Sequence, residues 1–236
     1  MVSERLVNAV LIFFILSGLW YMPSAVFSTV LENPVNDNSI TSNVLVFKEN
    51  DHENYWMTNK EDIKTQFNPY LEQFNQEGCI DHPELRNLLV VGNEVEAAAD
   101  NTSIYSGTDI ENAYRLHKLV YDSIEYAYID DKLTSEEILV AGRGDCSEKS
   151  VLLASLLDAA GVDAYVFDNG AHWYVFANIE GAWMPIDPSV YDFYYVYKNW
   201  DNEDINKHYL AYEQAFIFNR DEVVFNKDWC SNKIYV

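Results

Sequence analysis

Cys146, His172 and Asp187 are the three residues of this chain whose types and order could carry covalent chemistry. A thiolate is a nucleophile, an imidazole can take and return a proton near neutral pH, and a carboxylate can fix that imidazole's tautomer and stabilise its cation. Asp145 stands three residues ahead of Glu148, a capping-box spacing that predicts a helix whose first residue is Cys146. A cysteine there faces unpaired backbone N–H groups and the positive end of the helix dipole, which stabilise a thiolate. Gly142 and Gly144 are expected to turn the chain sharply and leave open space above the sulfur for a substrate carbonyl. The Cys146 N–H is then a candidate oxyanion donor. His172 is expected on the strand after a tight turn, and Asp187 on the neighbouring strand, where hairpin pairing would set the carboxylate beside the ring. Singly, each has a plain alternative: a buried thiol, a satisfied strand histidine and an Asp-Pro turn opener. Their order in successive elements favours chemistry.

The elements that must position them can be read from periodicity. The predicted nucleophile helix buries Val151, Leu152, Leu156, Leu157 and Ala160 and ends at Gly161. Strand-like runs follow at 164–167, 172–177 and 182–186, broken by Asp168-Asn169-Gly170 and by Asn178-Ile179-Glu180-Gly181. Upstream, helical spacing spans 60–77 (Ile63, Phe67, Tyr70, Leu71, Phe74) and 83–99 (Leu85, Leu88, Leu89, Val95), with Gly78 and Gly92 as breaks. A further helix is predicted from an Asp109 N-cap through Ala127, and a short one after Thr134, whose capping box uses Glu137. His117 falls near the apolar stripe of the first of these and reads as a packing residue. In the tail, 205–216 reads as a helix and 223–225 as a strand, and Tyr191, Tyr194, Tyr195 and Tyr197 read as a packing surface. The fold class is α+β: a nucleophile helix on an antiparallel sheet with added N-terminal helices.

Gly142-Arg143-Gly144-Asp145-Cys146, Ser150 to Leu157, Ala160-Gly161-Val162, His172-Trp173 and Trp183-Met184-Pro185-Ile186-Asp187-Pro188-Ser189 together resemble the transglutaminase-like superfamily of cysteine enzymes. The resemblance covers about 110–192. It implies a papain-like core in which Cys146, His172 and Asp187 are nucleophile, base and orienting acid. One departure is visible: members commonly carry Trp two residues after the His, whereas here Trp173 follows at once and Tyr174 takes that place. Tyr126 and Tyr128 are candidates for the second oxyanion donor. The implied chemistry is acyl transfer on amides of a protein or peptide, as a peptidase or amidase. Protein-glutamine cross-linking and a non-catalytic binding module on the same fold are the alternatives. No EF-hand, P-loop or dinucleotide pattern occurs, so no cofactor or metal is expected. A zinc site at Cys146, His172 and Asp187 would need a fourth ligand or an open water position.

Composition bounds the remainder. Among 236 residues, 15 Lys+Arg against 38 Asp+Glu give a formal charge of −23, which repels phosphate backbones, so nucleic-acid binding is not expected. From Leu6 to Leu31 no residue is charged, which predicts a signal peptide or membrane anchor over 1–31, with any membrane contact confined to it. The polar stretch 32–59 reads as a spacer and 60–236 as one domain. Either leader reading places the domain outside the cytoplasm, secreted or anchored, and the Asn101-Thr102-Ser103 sequon is compatible with that side. The three cysteines are partitioned as a Cys79–Cys230 pair and a free Cys146.

Overall fold

Asp145 and Glu148 close a full capping box ahead of a helix at Cys146–Ala159, and the rest of the molecule is built around that helix. A computed structural model describes residues 50–74, 76–77, 83–102, 107–210 and 215–225, all within one compact unit, Phe47–Val236. The helices are α1 (Asn50–Leu71), α2 (Pro83–Arg86), α3 (Asn93–Thr102), α4 (Asp109–Ser123), α5 (Ser135–Ala141), α6 (Cys146–Ala159), α7 (Tyr195–Lys198) and α8 (Glu203–Asn206). The strands are β1 (Gln76–Glu77), β2 (Glu125–Tyr126), β3 (Arg143–Gly144), β4 (Ala164–Asp168), β5 (Trp173–Ile179), β6 (Ala182–Ile186), β7 (Phe216–Phe218) and β8 (Val223–Phe225).

Helix α6 is buried on every side from Ser147 to Leu157, as its run of apolar and small residues requires. Strands β4 and β5 cover one side, and α3, α4 and α5 the others. The sheet is six-stranded and antiparallel, in the order β1-β8-β7-β4-β5-β6. The α+β class, with a nucleophile helix on an antiparallel sheet and helices added ahead of it, is therefore the observed one.

Several boundaries differ from the periodicity reading. Residues 50–59, assigned to the spacer, are the opening turns of α1. The stripe Ile63, Phe67 and Leu71 extends back by helical steps to Trp56, which is 1% exposed, but the polar residues between hide it in sequence. Helix α1 packs on β6 and α4, and Asn68 reaches the β5–β6 hairpin, donating to Gly181 O (3.0 Å) and accepting from Trp183 N–H (2.9 Å). The expected helix 83–99 is two pieces, α2 and α3, separated around Gly92, and Glu136 of α5 accepts from Val95 N–H at 3.1 Å to cap α3.

Thr108 rather than Asp109 holds the N-cap position of helix α4, without a side-chain cap bond, and the helix stops at Ser123, before the predicted Ala127, because Glu125 and Tyr126 pair in parallel with Arg143 and Gly144. Of the predicted tail helix 205–216, the described residues hold the end of α8 and a turn, and Phe216 belongs to β7, where it pairs with Asp168. An apolar Phe-Ile-Phe run satisfies a buried strand as well as a helix face, and pairing with β4 decides it. The capping box at Thr134, the start of α6, the strand at 182–186 and the strand at 223–225 are as expected.

The leader at 1–31, residues 32–49 of the spacer, and both Cys79 and Cys230 lie outside the described residues, as does Ser103 of the sequon. Among the described residues no helix is long and apolar enough to cross a membrane.

If α1 is part of the core, Phe67→Ala should lower unfolding free energy by about 3–5 kcal/mol in a urea titration; a loss under about 1 kcal/mol would mean that α1 is a detachable arm.

Candidate active site

Two backbone devices deliver Cys146. Gly142 ends α5 in the left-handed region at φ 63°, where a side chain is disfavoured. Gly144 then passes so close to α6 that an added Cβ would meet Glu148 Cβ at 2.4 Å. The expected open space above the thiol is therefore not what this second glycine provides; its missing side chain makes room for the cap. Asp145 accepts from Ser147 N–H and Ser147 Oγ–H, both at 2.8 Å, and Glu148 accepts from Asp145 N–H at 3.1 Å. Burial works against both carboxylates. Ser147's donors nevertheless hold Asp145 below its ordinary value, while Glu148 is raised by burial and by Asp145 beside it. Cys146 is left half-buried and free at the first position of α6.

His172 sits one residue before β5, not within it. The fully buried Asn169 shapes the turn that presents it, accepting from Ala171 N–H (2.9 Å) and His172 N–H (2.7 Å) and donating to His208 O (2.5 Å). Asp187 follows the last residue of β6 and is 2% exposed. Its Oδ2 is 2.8 Å from His172 Nε2, and its Oδ1 accepts from Ser189 N–H at 2.8 Å. With Nε2 committed to Asp187, Nδ1 is the ring nitrogen left for the Cys146 sulfur, which acts on the ring to raise its pKa.

The three residues singled out in sequence thus meet, and the electrostatics follow from the meeting. Burial alone would lower the His172 pKa, but the hydrogen bonds and charges of Asp187 and Cys146 outweigh it and raise the value to about 10. Burial would likewise raise Asp187, yet the His172 bond and charge, Tyr209 and the Ser189 amide hold it below its ordinary value.

The family model described as the transglutaminase-like superfamily matches residues 96–188, which contain all three. Over this stretch the chain matches the transglutaminase-like superfamily. A search of curated proteins finds no match. Among solved structures, the chain is similar to a protein described as a candidate cysteine protease from Cytophaga hutchinsonii, with 15% identity and a TM-score of 0.38, covering 47% of this chain and 43% of that one. It is also similar to one described as a candidate protease from Parabacteroides distasonis, with 16% identity and a TM-score of 0.38, covering 46% and 29%. A third, described as a TGase, has 14% identity and a TM-score of 0.35, covering 56% and 38%. The chain therefore spans less than half the length of each of these three.

Around this transglutaminase-like core stand residues with no motif to announce them. Tyr209, in the loop after α8, donates from its hydroxyl to Asp187 Oδ2 at 2.7 Å. Tyr174, in the place where the family commonly has Trp, is fully buried and donates to Tyr209 O at 2.7 Å, with its ring parallel to that of His172. The departure from the family pattern therefore supplies a hydroxyl that anchors Tyr209. Trp173 pairs with Asp168 across β4 and β5, and Lys132 Nζ stands 4.6 Å from its ring centroid. Lys132 also donates to Ser147 Oγ at 2.7 Å, beside the sulfur.

Of the two tyrosines considered as oxyanion donors, Tyr126 pairs with Gly144, two residues from Cys146, and its pKa is raised by burial and by the Cys146 side chain, while Tyr128 is 80% exposed. In the tail cluster, Tyr194 and Tyr197 pack on α1 through bonds to His52 O (3.0 Å) and Asp62 (2.7 Å), as a packing surface should; Tyr191 is 57% exposed.

Tyr209→Phe removes one of three donors from a buried carboxylate and should cost about 1–3 kcal/mol at neutral pH. Because Asp187 is held low in the folded state, its contribution exists above the unfolded value of about 3.9 and disappears as pH falls through the folded one. Urea melts of the two proteins should accordingly converge on acidification; an unchanged gap would place the effect elsewhere than Asp187.

Proposed function

We propose that the protein is a thiol-dependent enzyme of amide bonds, a peptidase or amidase acting on a protein or peptide outside the cytoplasm, with Cys146 as nucleophile, His172 as acid and base, and Asp187 as orienting acid. The observation that carries this reading is the contact of Asp187 Oδ2 with His172 Nε2 at 2.8 Å, on a ring whose pKa is raised by Asp187 and by the Cys146 sulfur at the N-terminus of a buried helix. The location rests on the uncharged run from Leu6 to Leu31.

The geometry supports a balanced two-step reaction. Cys146 sulfur attacks the amide carbon, and the oxygen's developing charge is met by the Cys146 N–H and the Tyr126 hydroxyl beside it. The C–N bond breaks as the His172 imidazolium gives its proton to the departing amine, leaving a thioester and a neutral imidazole. Water then attacks the thioester while His172 takes its proton, and the acid leaves as the thiolate and imidazolium are restored. Asp187 Oδ2 is engaged by His172 and Tyr209 and its Oδ1 by the Ser189 amide, so this carboxylate is turned to donors, which favours this reading over one with Asp187 as a zinc ligand.

Mass spectrometry of amide peptides, with and without a primary amine, tests the reaction. Hydrolysed product from the native protein, and none from a folded Cys146→Ala variant, is expected. Amine-adducted product in place of acid would redirect the assignment to cross-linking, and equal turnover in the variant would reduce the protein to a binding module.

The pH dependence gives a second test. A group raised from 6.5 to about 10 stays protonated across neutral pH and is lost only as pH rises through the upper value, so the imidazolium is present at pH 6 to 8. In the proposed pair that cation stands beside a thiolate, so iodoacetamide should alkylate Cys146 nearly as fast at pH 6 as at pH 8, whereas a free thiol slows about 75-fold over that interval. Asp187→Asn should restore the steep dependence.

A further inference from the structure

The turn that carries the orienting carboxylate is Asp187-Pro188-Ser189-Val190. Two of its hydrogen bonds stay inside it: Ser189 N–H to Asp187 Oδ1 at 2.8 Å and Val190 N–H to Asp187 O at 3.3 Å. A further tie comes from another element. His117, on α4 and 1% exposed, places Nε2 3.1 Å from Asp187 O and 3.0 Å from Val190 O. Both acceptors are carbonyl oxygens, so Nε2 must carry the proton, and the ring donates one forked hydrogen bond to both ends of the turn.

We infer that His117 is a positioning residue for Asp187, clamping the backbone of its turn to α4 so that Oδ2 stays in line with His172. The inference deepens the cysteine-enzyme reading and rests on it. The same imidazole that the apolar stripe of α4 marks as a packing residue is thus a donor to the site.

Its surroundings keep it neutral. Burial lowers His117 to about 4, against the raising effect of the two carbonyl bonds and of the Asp187 and Asp192 carboxylates. The faces of the ring meet Tyr121, nearly parallel at 6.5 Å between centroids, and Phe193 at 5.4 Å and 61°. An apolar replacement would leave two carbonyls without this donor. The turn would be free to shift, and displacements of order 1 Å at a reacting group can cost about 10²-fold in rate.

The test compares the native chain with His117→Leu, which fills the site without a donor, and His117→Gln, whose amide N–H can reach a carbonyl. Iodoacetamide alkylation of Cys146 is followed against pH, with near-UV circular dichroism as the check on folding. In a folded leucine variant the rate near pH 6 should fall at least about tenfold, toward the 10²-fold limit. The glutamine variant should lie closer to the native rate than to the leucine one. A folded leucine variant whose profile superposes on the native one overturns the inference.

Should the leucine variant not fold, nitrogen NMR of the native imidazole decides. A ring that keeps its proton on Nε2 at neutral pH supports the clamp, and a neutral ring with its proton on Nδ1 overturns it. Loss of low-pH reactivity already in the native chain would instead count against the cysteine-enzyme reading itself.

Discussion

An ionised carboxylate with 2% of its surface exposed is expensive unless every lone pair it turns inward is met by a donor, and Asp187 is such a group. Its donors come from three separated parts of the chain: the Ser189 amide of its own turn, the His172 ring at the mouth of β5 and the Tyr209 hydroxyl in the tail. This constraint accounts for paths that would otherwise look arbitrary. The tail leaves α8 and brings Tyr209 under the site before returning to pair as β7, and Tyr174 gives up its hydroxyl to hold Tyr209 there. Asn169 joins the turn ahead of His172 to the same loop through His208. The acid and the base are therefore anchored by one connected set of polar contacts.

The sulfur is positioned by different means. Helix α6 is buried almost throughout, so its first residue cannot shift without disturbing the core, and the capping box sets where that first residue falls. The parallel pairing of β2 with β3 brings Tyr126 to the same place from the opposite direction. Apolar packing thus fixes the nucleophile, and hydrogen bonding fixes its partners.

How far the sequence announced this depends on whether a signal is local. The capping box at Asp145, the glycine after α6 and the alternation along β4 to β6 are set by neighbours a few residues apart, so the nucleophile helix, the meander and the three reacting side chains could be read directly. Tyr209, Tyr174 and His117 act through partners between 22 and 73 residues away, and Asn169 reaches His208 39 residues on, and nothing around Tyr209 separates it from the other tyrosines of the tail. The opening of α1 was hidden for a related reason: His52 and Trp56 extend its stripe, but their burial depends on Tyr114, Tyr194 and β6, which arrive much later in the chain. Gly144 was read as making room for a ligand, and only the path of Glu148 shows that the room is already taken.

Asn68 has a consequence beyond packing. By offering its amide to Gly181 O and Trp183 N–H, it occupies peptide groups that an outermost strand would otherwise hold out to a neighbour. A stranger's backbone seeking to zip onto the β6 border meets a helix there, so self-polymerisation through strand addition at that flank is discouraged by the same helix that completes the core.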